Sequence, residues 1–242
     1  MIKIDSLFKK FNSHWVLDNL NLNIDKGEFY CLLGPNGAGK TTTLKILSGL
    51  MRPTKGRAII GGHDIEKDYV KAKEILGLIP DTPFLYENLT PLEFIQFIGE
   101  VYGINKDEVL KDMDYYFDLF QIQEFRNSRN KELSHGTRQK IVYTASFIHH
   151  PAVYLIDEPL VGLDPYKIHL VKKLLKEEAD RGKAILMCTH LLSIAEELAD
   201  RVGILKDGKL FIEGSPKELK EKYGDSLEDV FLKLTRPQEE NN

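Results

Sequence analysis

The sequence predicts an α/β fold: a core with a mostly parallel sheet, antiparallel β elements near the N-terminus and an inserted α-helical subdomain. Three observations carry it. Short apolar runs ending in glycine or an acid alternate with helix-period segments on both sides of the chain's middle. A glycine-rich turn joins the first such run to a helix. Between residues 83 and 150 the strand-like runs give way to long helix-period segments.

In order, residues 20–24 alternate apolar and polar, and Phe29-Tyr30-Cys31-Leu32-Leu33 reads as a buried strand ending at Gly34. A helix follows from Lys40 to Ser48, with Leu44 and Leu47 on one face and Gly49 to stop it. Further strands are predicted at 57–60 and 75–79. Thr90-Pro91-Leu92-Glu93 combines an N-cap, a first-turn proline and a glutamate three residues on, which starts a helix reaching Tyr102. A second helix covers 106–120 and a third begins near Gly136. Beyond Pro151 the alternation resumes, with strands at 153–156, 184–188 and 202–205 and helices after Pro165 and Leu191. Asp207-Gly208 predicts a hairpin, and Ser215-Pro216-Lys217-Glu218 opens a last helical stretch before a polar, frayed 236–242. The expected division is 1–82 with 151–214 as the α/β core, 83–150 as the helical insertion and 215–242 as a C-terminal helical tail.

The 242 residues and 42% apolar content suit one large domain or one domain with an insertion. A net charge of -4 gives none of the basic excess that nucleic acid attracts, so no nucleic-acid partner is expected. No apolar run approaches the roughly 18–20 residues needed to cross a bilayer, and Met1-Ile2-Lys3-Ile4-Asp5 is no signal peptide; the chain is expected in the cytoplasm. Cys31 and Cys188 lie in apolar strands and read as reduced core residues.

Gly34-Pro35-Asn36-Gly37-Ala38-Gly39-Lys40-Thr41 fits the spacing G-x-x-x-x-G-K-[ST], set between strand and helix as that motif requires, and so predicts a P-loop NTPase core. Glycines let backbone N–H groups turn toward phosphate oxygens, the helix N-terminus adds partial positive charge, and Lys40 reaches the β- and γ-phosphates. Thr41 offers a hydroxyl to Mg²⁺. Val153-Tyr154-Leu155-Ile156-Asp157-Glu158 delivers two acids to the carboxyl edge of a parallel sheet, where ligands of such folds bind. Asp157 suits the Mg²⁺ shell; Glu158, pointing the other way by strand alternation, is the candidate to polarise the attacking water. Alone, the pair could be solvated strand-end acids. His190 projects from another strand end, where a lone histidine is more often a cap or surface residue.

Leu133-Ser134-His135-Gly136-Thr137 precedes a helix and the acid strand, and Gly162-Leu163-Asp164 and His190 follow. With the phosphate loop, this order resembles the ATP-binding cassette (ABC) ATPases over nearly the whole chain. The resemblance implies ATP and Mg²⁺ as ligands and ATP hydrolysis as the activity. It implies that Phe11 stacks on adenine with Val16 beside it, though Phe11 could be a packed core residue. The loop from Gly34 to Thr42, including Pro35, Asn36, Gly37, Ala38 and Gly39, would hold the phosphates. Ser134, Gly136 and Thr137 would reach the nucleotide of an opposite subunit; read alone, Ser134 is equally a plain N-cap. Asp164 would communicate between subunits, or simply cap a helix, and His190 would touch the γ-phosphate. Two departures stand out. His135 and Thr137 replace a glycine and the glutamine of LSGGQ. Asp81 occupies the usual glutamine position, where it supplies a shorter, anionic oxygen to Mg²⁺ or remains a solvated loop acid.

Residues 79–87 and 227–234 are similar to bacterial exporter-type subunits, including the Ecs type. The implied partners are a second ATP-binding subunit, identical or related, and transmembrane permease subunits that would hold the chain on the inner face of the membrane. Phe84, Leu85, Tyr86 and Phe94 would line a groove for a permease helix, or pack in the core. An ABC ATPase serving DNA repair or translation is the alternative; such members carry coiled-coil insertions or paired cassettes, which are not visible here. A GTPase would want Asn-Lys-x-Asp, and Asn130-Lys131-Glu132-Leu133 has no acid at the fourth place.

Overall fold

The computed structural model describes residues 1–158 and 164–235. Two sheets organise it. A four-stranded antiparallel sheet has the order β2-β1-β4-β5, from β1 (Ile2–Phe11), β2 (His14–Ile24), β4 (Lys55–Ile60) and β5 (His63–Asp64). A six-stranded sheet has the order β10-β9-β3-β8-β7-β6. It comprises β3 (Phe29–Leu33), β6 (Leu76–Ile79), β7 (Val153–Asp157), β8 (Ala184–Thr189), β9 (Arg201–Lys206) and β10 (Lys209–Gly214). Its strands are parallel except β10, which returns antiparallel from β9 through the turn at Asp207-Gly208.

Strand pleating divides the apolar residues of the large sheet between two cores. On one face Tyr30, Leu32, Leu186 and Cys188 meet Ile2, Leu7 and Leu20 of the antiparallel sheet and Leu44 of α1 (Lys40–Leu47). On the other, Phe29, Cys31, Ile156 and Met187 join Phe117, Ile141 and Val171 from the helices. Full burial of each such side chain is worth roughly 2 kcal/mol, so strands buried on both faces fix the sheet firmly. Cys31 and Cys188 are unpaired and buried, and burial pushes both thiols up, the expected behaviour of inert core cysteines.

Residues 83–150 contain no strand and carry α3 (Pro91–Val101), α4 (Lys106–Phe120) and α5 (His135–Phe147). The Thr90 side chain and Glu93 form the expected reciprocal cap. Ring contacts tie this region to the sheet: Tyr116 stacks on Phe147 at 5.3 Å, and Phe147 meets Tyr154 of β7 at a tilt at 5.3 Å. Helix α5 also closes the exposed edge of the large sheet. Its Gln139 donates to the Pro80 carbonyl (3.4 Å), its Ser146 to the Leu78 carbonyl (2.9 Å), and His149 just beyond it meets the Leu76 carbonyl (3.1 Å), so edge-strand acceptors of β6 are satisfied by side chains. The remaining helices are α2 (Tyr69–Glu74), α6 (Pro165–Asp180), α7 (Leu192–Leu198), α8 (Pro216–Tyr223) and α9 (Leu227–Thr235).

Strand β1, β5 and helix α2 are additions to the sequence reading, and β2 starts well before the alternation at Leu20. Bulges explain the first omission. Pairing of β1 with β2 shifts register three times, and Ser6 and Asn19 take positive φ, so the two-residue period of the apolar positions is broken.

Candidate functional site

A cavity of about 510 Å³ opens at the carboxyl edge of the large sheet. It is lined by His14, Val16, the loop from Asn36 to Thr42, Asp81, Asp157 and Glu158. That position follows from topology, because β3, β7 and β8 are parallel neighbours and end side by side.

The loop leaves β3 at Gly34, where a side chain would meet the Leu205 carbonyl at 2.4 Å. Gly39 sits at φ 111°, and a Cβ there would strike Leu17 at 2.6 Å and the Val16 carbonyl at 2.8 Å. Only glycine satisfies both the conformation and the close approach to β2. The loop is pinned from behind by the β9–β10 turn, since Gly208 donates to the Ala38 carbonyl at 3.2 Å. Helix α1 begins at Lys40 with no side-chain cap and no acid in its first turn, so its N-terminal dipole is left for an anionic ligand. Lys40 is buried, and its Nζ donates to the carbonyls of Gly34 (2.7 Å) and Pro35 (3.2 Å), which holds the ammonium inside the loop's curve.

Asp157, the last residue of β7, is only 5% exposed and its Oδ1 has no hydrogen-bond partner. Burial raises its carboxyl above the usual range; a hydrogen bond from Thr41 opposes this, and the neighbouring charges of Asp81 and Glu158 add to it. An orphaned buried carboxylate oxygen beside a threonine hydroxyl, with Asp81 lining the same cavity, is a set of hard oxygen donors that suits Mg²⁺. Asp81 follows Pro80 at the end of β6, and one of its oxygens accepts from the Thr82 N–H at 2.7 Å.

Glu158 lies just beyond β7 rather than within it. Its backbone turns to φ 43°, uncommon for a side-chain-bearing residue and worth about 1–3 kcal/mol of strain. Its N–H donates to the Cys188 carbonyl at 2.9 Å. The turn, not strand alternation, aims the carboxylate at the end of β8, where it accepts from the Thr189 hydroxyl (3.0 Å) and lies 2.8 Å from His190 Nδ1. The acid and the histidine 32 residues apart are thus in direct contact.

Val16 lines the cavity; Phe11 does not. Phe11 ends β1 with 42% of its surface exposed and the Lys9 ammonium 5.0 Å from its ring centroid, so it is no packed core residue. His14, which pairs with Phe11 across the β1–β2 turn, is a lining residue that sequence reasoning missed. Recognition of the β1–β2 hairpin would have found it.

Ser134, Gly136 and Thr137 stand outside this cavity, at the start of α5. Ser134 caps that helix, accepting from the Thr137 N–H at 3.2 Å, and lies 2.9 Å from the Thr137 hydroxyl. Thr137 is buried, whereas Ser134 and His135 are exposed. Asp164 caps α6 by accepting from the Lys167 N–H at 3.0 Å; Gly162 and Leu163 lie outside the described residues, as does 236–242. A second, apolar cavity of about 350 Å³ lies between β6 and the helical region, lined in part by Phe84, Phe94, Leu78 and Val142. Phe84 is 75% exposed, and Tyr86 packs edge-on against Phe84, Phe94 and Phe97, while Leu85 is buried.

Residues 17–161 match the model of the ABC transporter family. The ABC-type transporter ATP-binding protein EcsA of Bacillus subtilis is 32% identical over 98% of this chain and 97% of its own. Nod factor export ATP-binding protein I of Cupriavidus metallidurans is 31% identical over 97% of this chain and 80% of its own. Among solved structures, the dimeric post-hydrolysis state of the ATP-binding cassette MJ0796, bound to ADP and Pi, superposes with a TM-score of 0.81 at 27% identity, covering 89% of this chain and 98% of that one.

Proposed function

Since the chain belongs to the ABC transporter family as an ATP-binding, ATP-hydrolysing subunit, we propose that two such subunits clamp two MgATP between them and drive export through separate membrane subunits. The observation that carries this is the convergence of the Lys40 loop, the Thr41–Asp157 pair and Glu158, itself in contact with His190, on one cavity. Phe11 and Val16 would flank the adenine. Residues Gly34 to Thr42 would cradle the phosphates, Lys40 meeting the β- and γ-oxygens. Thr41, Asp157 and Asp81 would hold Mg²⁺, which when bound neutralises charge on those oxygens.

Glu158 accepts a proton from the attacking water, and His190 keeps its carboxylate oriented and reaches the γ-phosphate. Ser134, Gly136 and Thr137 do not line the cavity of their own chain, and they meet the γ-phosphate held by the opposite subunit. Loss of that phosphate removes a contact both halves share, and the pair reopens.

The apolar cavity bearing Phe84 and Phe94 fits a helix of the permease. No helix among the described residues is long and apolar enough to cross a membrane; attachment to the inner face of the membrane comes through the permease. Export is favoured by similarity to an export ATP-binding protein. We take 1–82 with 151–214 as the nucleotide half, 83–150 as the signature half and 215–242 as the tail. Replacing Glu158→Gln is expected to lower turnover at least ~100-fold while ATP-dependent dimers persist in size-exclusion chromatography. Rapid hydrolysis by that variant would sink the assignment.

A further inference from the structure

We propose that Asp81 makes this site reject bare nucleotide and accept it only as a divalent-cation complex. The inference rests on the nucleotide reading above and concerns how that site is gated. Three carboxylates, Asp81, Asp157 and Glu158, line one cavity against the single ammonium of Lys40. Lys40 is itself engaged by two loop carbonyls. The three carboxylates therefore work against the attraction that the loop and the α1 N-terminus offer a polyanion, unless a cation is bound with it.

Asp157 takes a hydrogen bond from Thr41 yet keeps a buried Oδ1 with no partner, so part of its negative charge is left without a hydrogen bond. Asp81 is the acid that tips the balance. It lines the same cavity as Asp157 and adds a charge of the same sign. Its orientation is set by the Thr82 N–H, and its loop is held by the Gln139 contact to Pro80. Glu158, by contrast, is partly satisfied by Thr189 and His190. A neutral amide in place of Asp81 would leave the shape of the cavity intact and remove one unit of repulsion. At separations of several ångströms and intermediate screening, that unit is worth about tenfold in nucleotide affinity.

The test is calorimetric binding of the non-hydrolysable analogue AMP-PNP to the full chain, once with excess Mg²⁺ and once with EDTA. The parent is expected to bind at least ~30-fold more weakly in EDTA. Asp81→Asn should bind about tenfold more tightly than the parent in EDTA while its affinity in Mg²⁺ does not improve. Asp81→Glu, which keeps the charge, should retain the parent's dependence on the cation. Equal ratios for the parent and Asp81→Asn overturn the role of Asp81, as does a parent that binds equally well in both buffers. Failure of the parent to bind in either buffer overturns the nucleotide reading itself. Asp81 is exposed, so folding of these variants is not at issue.

Discussion

The two ends of this molecule that carry polar chemistry are built on opposite plans. At the sheet edge, donors and acids converge on a cavity, held by β3, β7 and α1 and backed by a buried core. At the start of α5, Ser134 and Thr137 turn toward each other, and their backbone and hydroxyl groups complete a helix cap. The first region is poised for a ligand within one chain; the second presents an exposed serine and histidine outside that cavity. On the proposed reading one is a socket and the other the surface that closes over a partner's socket.

The sharpest way to break that contrast is to disable the socket. Lys40→Ala is expected to weaken MgATP binding at least ~100-fold, because a buried charge-assisted contact to phosphate is lost. Calorimetry reads this directly, and an unchanged affinity would place the nucleotide elsewhere. Next in size is Ser134→Asp, which preserves the helix cap but sets a negative charge where the partner's γ-phosphate should arrive. Turnover and ATP-dependent dimerisation should fall about tenfold or more at unaltered melting temperature. Binding of nucleotide to the isolated chain should stay within about twofold, since this region is remote from its own cavity. Loss of both together would erase the distinction.

The smallest effect tests the cost of the socket. Burial raises the Asp157 carboxyl in the folded chain relative to the unfolded one. The folded state therefore binds the proton more readily, and stability contributed by that group is lost as pH rises through the raised value. Without nucleotide or metal, Asp157→Asn should melt about 2–4 °C higher than the parent near pH 7. The gap should shrink as pH falls below the ordinary carboxylate range, where Asp157 is protonated in both states. A gap that widens on acidification would contradict the sign.

Much of this was legible because the chemistry is local. The loop from Gly34 to Thr41 is contiguous, and the reciprocal cap at Thr90 and Glu93 is written in four residues. The apolar runs of β3, β7 and β8 are buried on both faces and so uninterrupted. What escaped was either irregular or non-local. The bulges at Ser6 and Asn19 disguised the β1–β2 hairpin and, with it, His14 at the cavity wall. The positive φ at Glu158 is invisible in a carboxylate pair, yet it decides which way that acid faces. The Glu158–Thr189–His190 contact depends on β7 lying beside β8, a pairing that single-strand patterns do not specify.

The row of side-chain bonds by which α5 closes the edge of β6 has a mechanical consequence. Ser146 and His149 bind carbonyls of β6 and Gln139 that of Pro80 just beyond it, next to Asp81. A push that displaces α5 lengthwise must either drag the Asp81 segment with it or shear those bonds in sequence, as a zip opens from one end. Force received at the helical flank is thereby delivered to the acid at the cavity wall without passing through the interior of the sheet.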